Sequence, residues 1–170
     1  MHSTDAFLYG PELAGHFDAI EAIHAEAFGP GRFARAAFRI REGGPHDQAL
    51  SYVATHAIDG EIAGSVRQTR VAVGDGEALL LGPLAVRPAY KNLGVGRRLM
   101  RMAVEGAREA GQTSIILVGD PPYYGPFGFL PVPPGQVTFP GPVDPRRVLV
   151  CPLVDDGVAL AGPIRHANQA

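Results

Sequence analysis

Two short stretches hold residues whose types and spacing could do chemistry. In 91-KNLGVGRRL-99, Gly94 and Gly96 stand between Lys91 and the pair Arg97 and Arg98, with Arg87 upstream and Arg101 downstream. If a helix starts near Gly94, its first amides have no intrahelical partner and lie at the positive end of the dipole. Glycine leaves that backbone bare and the cations surround it, which suits phosphate oxygens. In 123-YYGPFGF-129 two adjacent tyrosines stand ahead of a Gly-Phe pair, each a phenol able to donate or accept a hydrogen bond. Each stretch also has a plainer reading, since a G-x-G is more often a tight turn and a tyrosine more often a packing residue.

Periodicity marks out the elements that must position these residues. Ala6 to Tyr9 reads as a short strand. Phe17, Ile20, Ile23, Ala27 and Phe28 recur at helical spacing over residues 17–28 until Gly29-Pro30 stops them. A second, shorter helical segment falls in 32-RFARAAFRIRE-42, ended by Gly43-Gly44-Pro45. From Ser51 the pattern is that of strands. The segments 51–58 and 61–73 flank Asp59-Gly60, a hairpin dipeptide, and Gly74-Asp75-Gly76 turns the chain into 78-ALLLGPLAV-86. Gly82-Pro83 weakens that third strand and removes a ladder donor, so it belongs at an edge or a bulge. After Pro88 the period is helical again. Val95, Leu99, Met102, Ala103, Gly106, Ala107 and Ala110 share a face, and Gly111 is placed to cap the end. The apolar run 113–119 then reads as a buried strand, so strand, helix and strand form a βαβ unit with parallel strands. Nine of the 16 prolines lie between Pro121 and Pro145, which favours loops, and a last strand is expected in 147–154. Residues 157–170 carry only weak structural signals.

The 170 residues suit one domain, 1–170, with a core that needs neither metal nor disulfide. With 46% hydrophobic and 19% charged residues and a formal charge of -2, the chain has no overall attraction to nucleic acid or anionic membrane. Any cationic site must be local. No apolar stretch approaches the ~20 residues that span a bilayer, and Met1 to Gly10 lacks a basic start with an apolar core, so a soluble cytoplasmic protein is expected. The lone Cys151 fits a reducing compartment and reads as a small buried hydrophobe. The six histidines are scattered, and no metal is expected.

A P-loop requires G-x-x-x-x-G-K-[ST], which is absent, and the Rossmann pattern lacks its third glycine, with Leu99 in its place. The stretch instead resembles the acetyl-CoA binding motif of the GNAT superfamily of acyl-CoA-dependent N-acetyltransferases. That motif, Q/R-x-x-G-x-G/A, here reads Lys91, Asn92, Leu93, Gly94, Val95, Gly96, with aliphatic Val86 five residues earlier and Pro88 after it. Lys91 departs from the usual Gln or Arg, keeping the charge without the bidentate option. The family's tyrosine, four residues before a Gly-Phe pair, falls on Tyr124.

The resemblance covers roughly residues 5–130 and implies an α/β (α+β) fold: a mixed, mostly antiparallel central sheet with one parallel βαβ unit, flanked by helices. It implies transfer of an acetyl group from acetyl-CoA to a primary amine of a small molecule or protein by direct attack in a ternary complex. In that reading the backbone of Leu84, Ala85 and Val86 meets the thioester and pantetheine. Lys91, Asn92, Leu93, Gly94, Val95, Gly96, Arg97 and Arg98 surround the diphosphate. The Leu84 N–H polarises the carbonyl and Tyr124 is the general acid, with Tyr123 as competitor. Asp120, where relatives often carry Asn, is taken as a turn cap. Leu80 stands where some members have a glutamate base, so no base is assigned; His24, Glu26 and Glu77 qualify by residue type. Two other readings stay open at this point: a non-catalytic coenzyme A sensor, and a structural domain without cofactor. The edge strands leave room for a homodimer.

Overall fold

The computed structural model describes residues 6–155 and 159–169. Strand β1 (Phe7–Pro11) is followed by helix α1 (Phe17–Phe28), which stops where Gly29 takes a φ of 64° ahead of Pro30. A 3-10 turn at Pro30–Ala34 leads to α2 (Ala36–Arg41), so the second helical segment is shorter than 32–42. Then come β2 (Tyr52–His56), β3 (Ile62–Val73) and β4 (Gly76–Val86), each antiparallel to its neighbour, with β1 paired to β2. Helix α3 (Val95–Glu109) carries the chain back to β5 (Ser114–Val118), which runs parallel to β4.

The proline-rich segment contains only short elements: α4 (Pro121–Tyr124), β6 (Leu130–Pro131) and β7 (Val137–Thr138). Strand β8 (Val148–Pro152) is antiparallel to β5 and carries β6 on its far side. A ninth strand, β9 (Gly162–His166), lies where the sequence has only weak signals. It pairs with Val71–Val73 of β3 and with β7. Its five residues, Gly-Pro-Ile-Arg-His, have no alternating pattern of their own, and its partners supply the order. Gly157, Val158 and Ala170 lie outside the described residues.

Alternation along the central strands feeds two faces. Leu79, Leu81, Ile115 and Leu117 pack beneath α3 with Leu99, Met100 and Phe129, while Leu80 and Ile116 face Ala36 and Ile40 of α2. Ile20 and Ile23 of α1 close a third cluster with Val53, Ile62 and Ala85. Helix α3 lies so close to β3 that a Cβ on Gly64 would meet Val95 at 3.2 Å and Leu99 at 3.3 Å. Cys151 is buried, with its Sγ directed at the Phe127 carbonyl at 3.7 Å. Among the described residues, no helix is long and apolar enough to cross a membrane.

The site depends on where β4 stops pairing. Its parallel register with β5 is Leu79 with Ile115 and Leu80 with Ile116, whereas pairing with β3 runs on to Val86 opposite Gly64. Gly82-Pro83, compatible by sequence with an edge or a bulge, is a bulge in a strand paired on both sides. Leu81 faces Gln68 and Leu84 faces Val66, so two residues of β4 oppose Arg67 alone. Gly82 has a φ of 129°, open to glycine and strained for other residues. The bulge bends β4 away from β5.

Leu99 anchors α3 to this bend and is fully buried. Leu99→Ala is expected to cost about 2–5 kcal/mol. Urea unfolding should show a lower midpoint at unchanged slope, as a cavity in an intact two-state fold requires.

Candidate functional site

The glycine loop is a helix start with bare backbone. The Lys91 N–H donates to the Pro88 carbonyl and the Arg98 N–H to the Gly94 carbonyl at 3.0 Å. Between them, among the described residues, no backbone carbonyl accepts from the amides of residues 92–97. The chain enters the helix through left-handed conformations at Asn92, φ 64°, and at the N-cap Gly94, φ 83°. Asparagine tolerates that region and glycine adopts it freely. Lys91, Arg97 and Arg98 are exposed around the loop, and the Arg98 guanidinium lies 5.4 Å from the centre of the Tyr9 ring.

Beyond the bulge, strand geometry decides which amides of β4 are free. Successive N–H and C=O groups point to opposite edges. The Arg87 N–H donates to Ala63 at 2.8 Å, so residues 87 and 85 address β3 while Val86 and Leu84 address the side that β5 has left. Leu84 and Val86 thus turn polar backbone into the gap. Ala85 does not; its backbone faces Ser65 and its side chain packs against α1.

At the end of β5, Gly119 and Asp120 lead into α4. The Asp120 carbonyl accepts the N–H groups of Tyr123 and Tyr124, each at 3.1 Å. Its carboxylate makes no cap and sits 3.4 Å from Arg147, so the cap is a main-chain one. Tyr124 is wedged edge-on between Tyr123 and Phe129, with ring centres 4.8 and 6.1 Å away. Burial pushes its phenol up to about 12, with the neighbouring Tyr123 and Asp120 acting in the same direction. Tyr123 is more exposed. Burial raises its phenol and Arg97 opposes that, and its hydroxyl lies 2.9 Å from where a Cβ on Gly96 would stand. One phenol therefore looks into the fold and the other covers the first turn of α3.

A cavity of about 710 Å³ opens between the bulge, the end of β5 and the two early helices. Leu84, Tyr123 and Tyr124 line it together; the loop 91–98 lies outside it and is linked to it by Tyr123 over Gly96. Of the three candidate bases only His24 lines the cavity. Burial, reinforced by the Arg67 charge, pulls its imidazole down to about 4, so it is neutral at physiological pH and a weak base. Leu80 is fully buried in the core behind.

Arg67, opposite the bulge, binds the buried carboxylate of Glu12 at 2.8 Å and Glu21 at 3.2 Å, and His46 holds the other Glu12 oxygen. Burial alone would raise the Glu12 carboxyl, but the hydrogen bonds and charges of His46 and Arg67 hold it below the usual range. Glu21, Arg32, Arg35, Arg41, Arg67 and Thr69 line the cavity without forming a motif. The available signals were the spacing of Glu21 and His24 on one helix face and a polar run, Arg67 to Arg70, in the middle of a strand.

The residues match the family model described as Acetyltransferase (GNAT) family over 17–125. The chain is 31% identical over 158 residues to the uncharacterized N-acetyltransferase YjhQ of Escherichia coli K12, covering 88% of this chain and 86% of that one. It is 32% identical to YhbS of the same strain over 65% of each chain. The crystal structure of E. coli YhbS in complex with CoA superposes with a TM-score of 0.78 at 25% identity, over 95% of this chain and 89% of that one. A GNAT acetyltransferase from Brucella melitensis, in complex with acetyl-CoA, shares the fold at a TM-score of 0.67 and 22% identity, over 96% and 98% of the two chains. The fold is that of a GNAT protein, with a mostly antiparallel sheet, one parallel pair and flanking helices. The chain belongs to the GNAT acetyltransferase family and is an acyl-CoA-dependent N-acetyltransferase.

His24 gives the site a pH signature. Its folded pKa lies below the unfolded one, so below about pH 6.5 the unfolded chain binds the extra proton and stability falls with pH. Glu12 adds its own loss as the pH falls from the unfolded carboxyl value of 4.5 through its lower folded value, which lies below the window of His24 between pH 7 and pH 5. From pH 7 to pH 5 the wild type should lose about 2 kcal/mol more than His24→Gln. Chemical denaturation at the two pH values measures this, and parallel losses would mean that the folded imidazole protonates freely.

Proposed function

We propose that the protein moves an acetyl group from acetyl-CoA to a primary amine by direct attack in a ternary complex, within a single acyltransferase domain. One observation carries the reading: the free edge at Leu84 and Val86 runs from the bare helix start to a cavity lined by Tyr124. The amides of residues 92–97 would hold the diphosphate, with Lys91, Arg97 and Arg98 adding charge around it. The pantetheine amides would pair with Val86 as an added strand.

The thioester carbonyl would then lie at the Leu84 N–H. The amine nitrogen attacks the carbonyl carbon, the C–N bond forms, and negative charge moves to an oxygen that the fixed donor stabilises by on the order of 3 kcal/mol. The C–S bond breaks as the intermediate collapses. A Tyr124 phenol near 12 stays protonated but is too weak an acid to protonate a thiolate of pKa ~8.5 completely. Its contribution is a hydrogen bond to the departing sulfur, while the amine proton passes to solvent. Tyr123 is second in that role because its hydroxyl lies over Gly96. A reducing cytoplasm would keep the buried Cys151 as a thiol, and β1 and β6, with exposed Leu8 and Leu130, are the edges where a homodimer would form.

Calorimetric titration with acetyl-CoA should give binding at submillimolar concentration or tighter. Gly94→Ala, which forces alanine into a left-handed cap, should weaken that binding about tenfold. No binding by the wild type would refute the assignment. Binding without turnover on any amine would favour the sensor reading.

Tyr124→Phe should lower kcat by about 100-fold with little change in the KM for acetyl-CoA. Thiol release followed with a chromogenic disulfide measures both. Full activity in that variant, together with a loss in Tyr123→Phe, would transfer the role to Tyr123.

A further inference from the structure

The cavity gathers unmatched polarity. Among the described residues, seven buried side-chain polar atoms lack a hydrogen-bond partner, and four of them belong to residues that line this cavity: His24 Nε2, Arg32 Nε, Arg41 Nε and Thr69 Oγ1. Each such group is destabilising while it stays unpaired. Four around one cavity point to a ligand that completes them, and the arginine and threonine groups are hydrogen-bond donors.

The charges have the same bias. Five arginines line the cavity, Arg32, Arg35, Arg41, Arg67 and Arg147, against the carboxylates Glu21, Asp120 and Asp144. The acids are unevenly placed. Arg147 pairs with Asp120, and Arg67 with Glu12 and Glu21, whereas Asp144 is engaged by Arg146. On the side formed by the early helices, Arg32, Arg35 and Arg41 have no carboxylate partner among the described residues. Arg32 and Arg35 rest on the rings of Phe33 and Phe28, at 4.1 and 5.1 Å.

Arg41 makes no side-chain hydrogen bond among the described residues, and its Nη2 lies 3.0 Å from where a Cβ on Gly82 would stand. Burial and the charges of Arg35 and Arg67 pull its guanidinium down to about 10, which leaves it charged at neutral pH. A partly buried cation beside other cations, with no carboxylate of its own, is stabilised when an anion joins it. The planar guanidinium fork matches carboxylate and phosphonate oxygens in a two-point contact.

Position links this anion site to the chemistry. Gly82 is two residues before Leu84, so an anion on Arg41 lies within a small molecule's length of the carbonyl-binding amide. We infer that the acceptor is a small amine carrying a carboxylate or phosphonate, with Arg41 as the receptor for the anionic group. This rests on the transferase reading above and adds the substrate class to it. The cavity volume is that of a small-molecule site.

The test uses the full chain, saturating acetyl-CoA and thiol release, with matched acceptors: amino acids against their amides, and aminoalkylphosphonates against alkylamines of equal length. The anionic member of at least one pair type should be favoured by about tenfold or more in kcat/KM, and which pair type responds tells carboxylate from phosphonate. Arg41→Met should abolish the preference through KM, with Arg41→Lys recovering part of it. Acetyl-CoA affinity, titrated for each variant, reports whether the fold survives; if Arg41→Met fails to fold, the wild-type ratio decides. Equal or better use of the neutral members overturns the inference, as does a preference that persists in a folded Arg41→Met. Acetylation of neutral amines alone overturns it while the transferase reading stands, and absence of acetyl-CoA binding in the wild type overturns both.

Discussion

A strand paired along both edges has no main-chain groups to offer a ligand. β4 escapes that condition beyond Leu80, because it is tied to β5 at Leu79 and Leu80 and to β3 all the way to Val86. The two-against-one bulge at Gly82 and Pro83 bends it, and the neighbour on one side is not followed. A polar edge inside a folded protein is an uncompensated cost unless something pairs with it. Here the edge runs between a helix start with bare amides and a cavity with two phenols, so the cost falls where a cosubstrate can meet it.

Helix α3 makes this possible by being held rigidly. Val95, Leu99, Met100 and Ala103 are fully or nearly fully buried against the sheet, and Gly64 lets the helix approach β3 closely. Gln68, facing the start of the bulge, donates to carbonyls of both Leu50 and Ala103, at 2.8 and 3.1 Å. The middle of the helix is thereby tied to the strand opposite the bulge, and donors that need not reorganise during reaction are the effective ones.

The electrostatics follow the same division. A chain of formal charge -2 still concentrates cations at two places, Lys91 to Arg98 on the outside and Arg32 to Arg67 around the cavity. The outer group is exposed, so water screens its charges. The inner group is partly desolvated, so its interactions are stronger and its unmatched members more costly. Tyr124 shows the other consequence of burial: the packing against Phe129 and Tyr123 that orients its hydroxyl also makes the phenol a weaker acid.

Local features were open to reading from the chain alone. The limits of α1 follow from apolar spacing and Gly29-Pro30, the bounds of α3 from Gly94 and Gly111, and the βαβ unit from a change of period, because these depend on neighbours a few residues apart. The glycine loop and the tyrosine pair were visible for the same reason. Strand β9 was not, since Gly162-Pro163 has no pattern and its order comes from β3 and β7. Ala85 could not be separated from Leu84 and Val86 without knowing which edge each amide faces. The cavity arginines were equally hidden, because Arg41 and Arg67 become one site only when the end of a helix is laid beside a bulge. The sequence by itself determined the elements and the helix start that suits an anion. The tertiary structure alone decided which backbone groups stay unpaired and which cations share one desolvated space, because both depend on residues far apart in the chain.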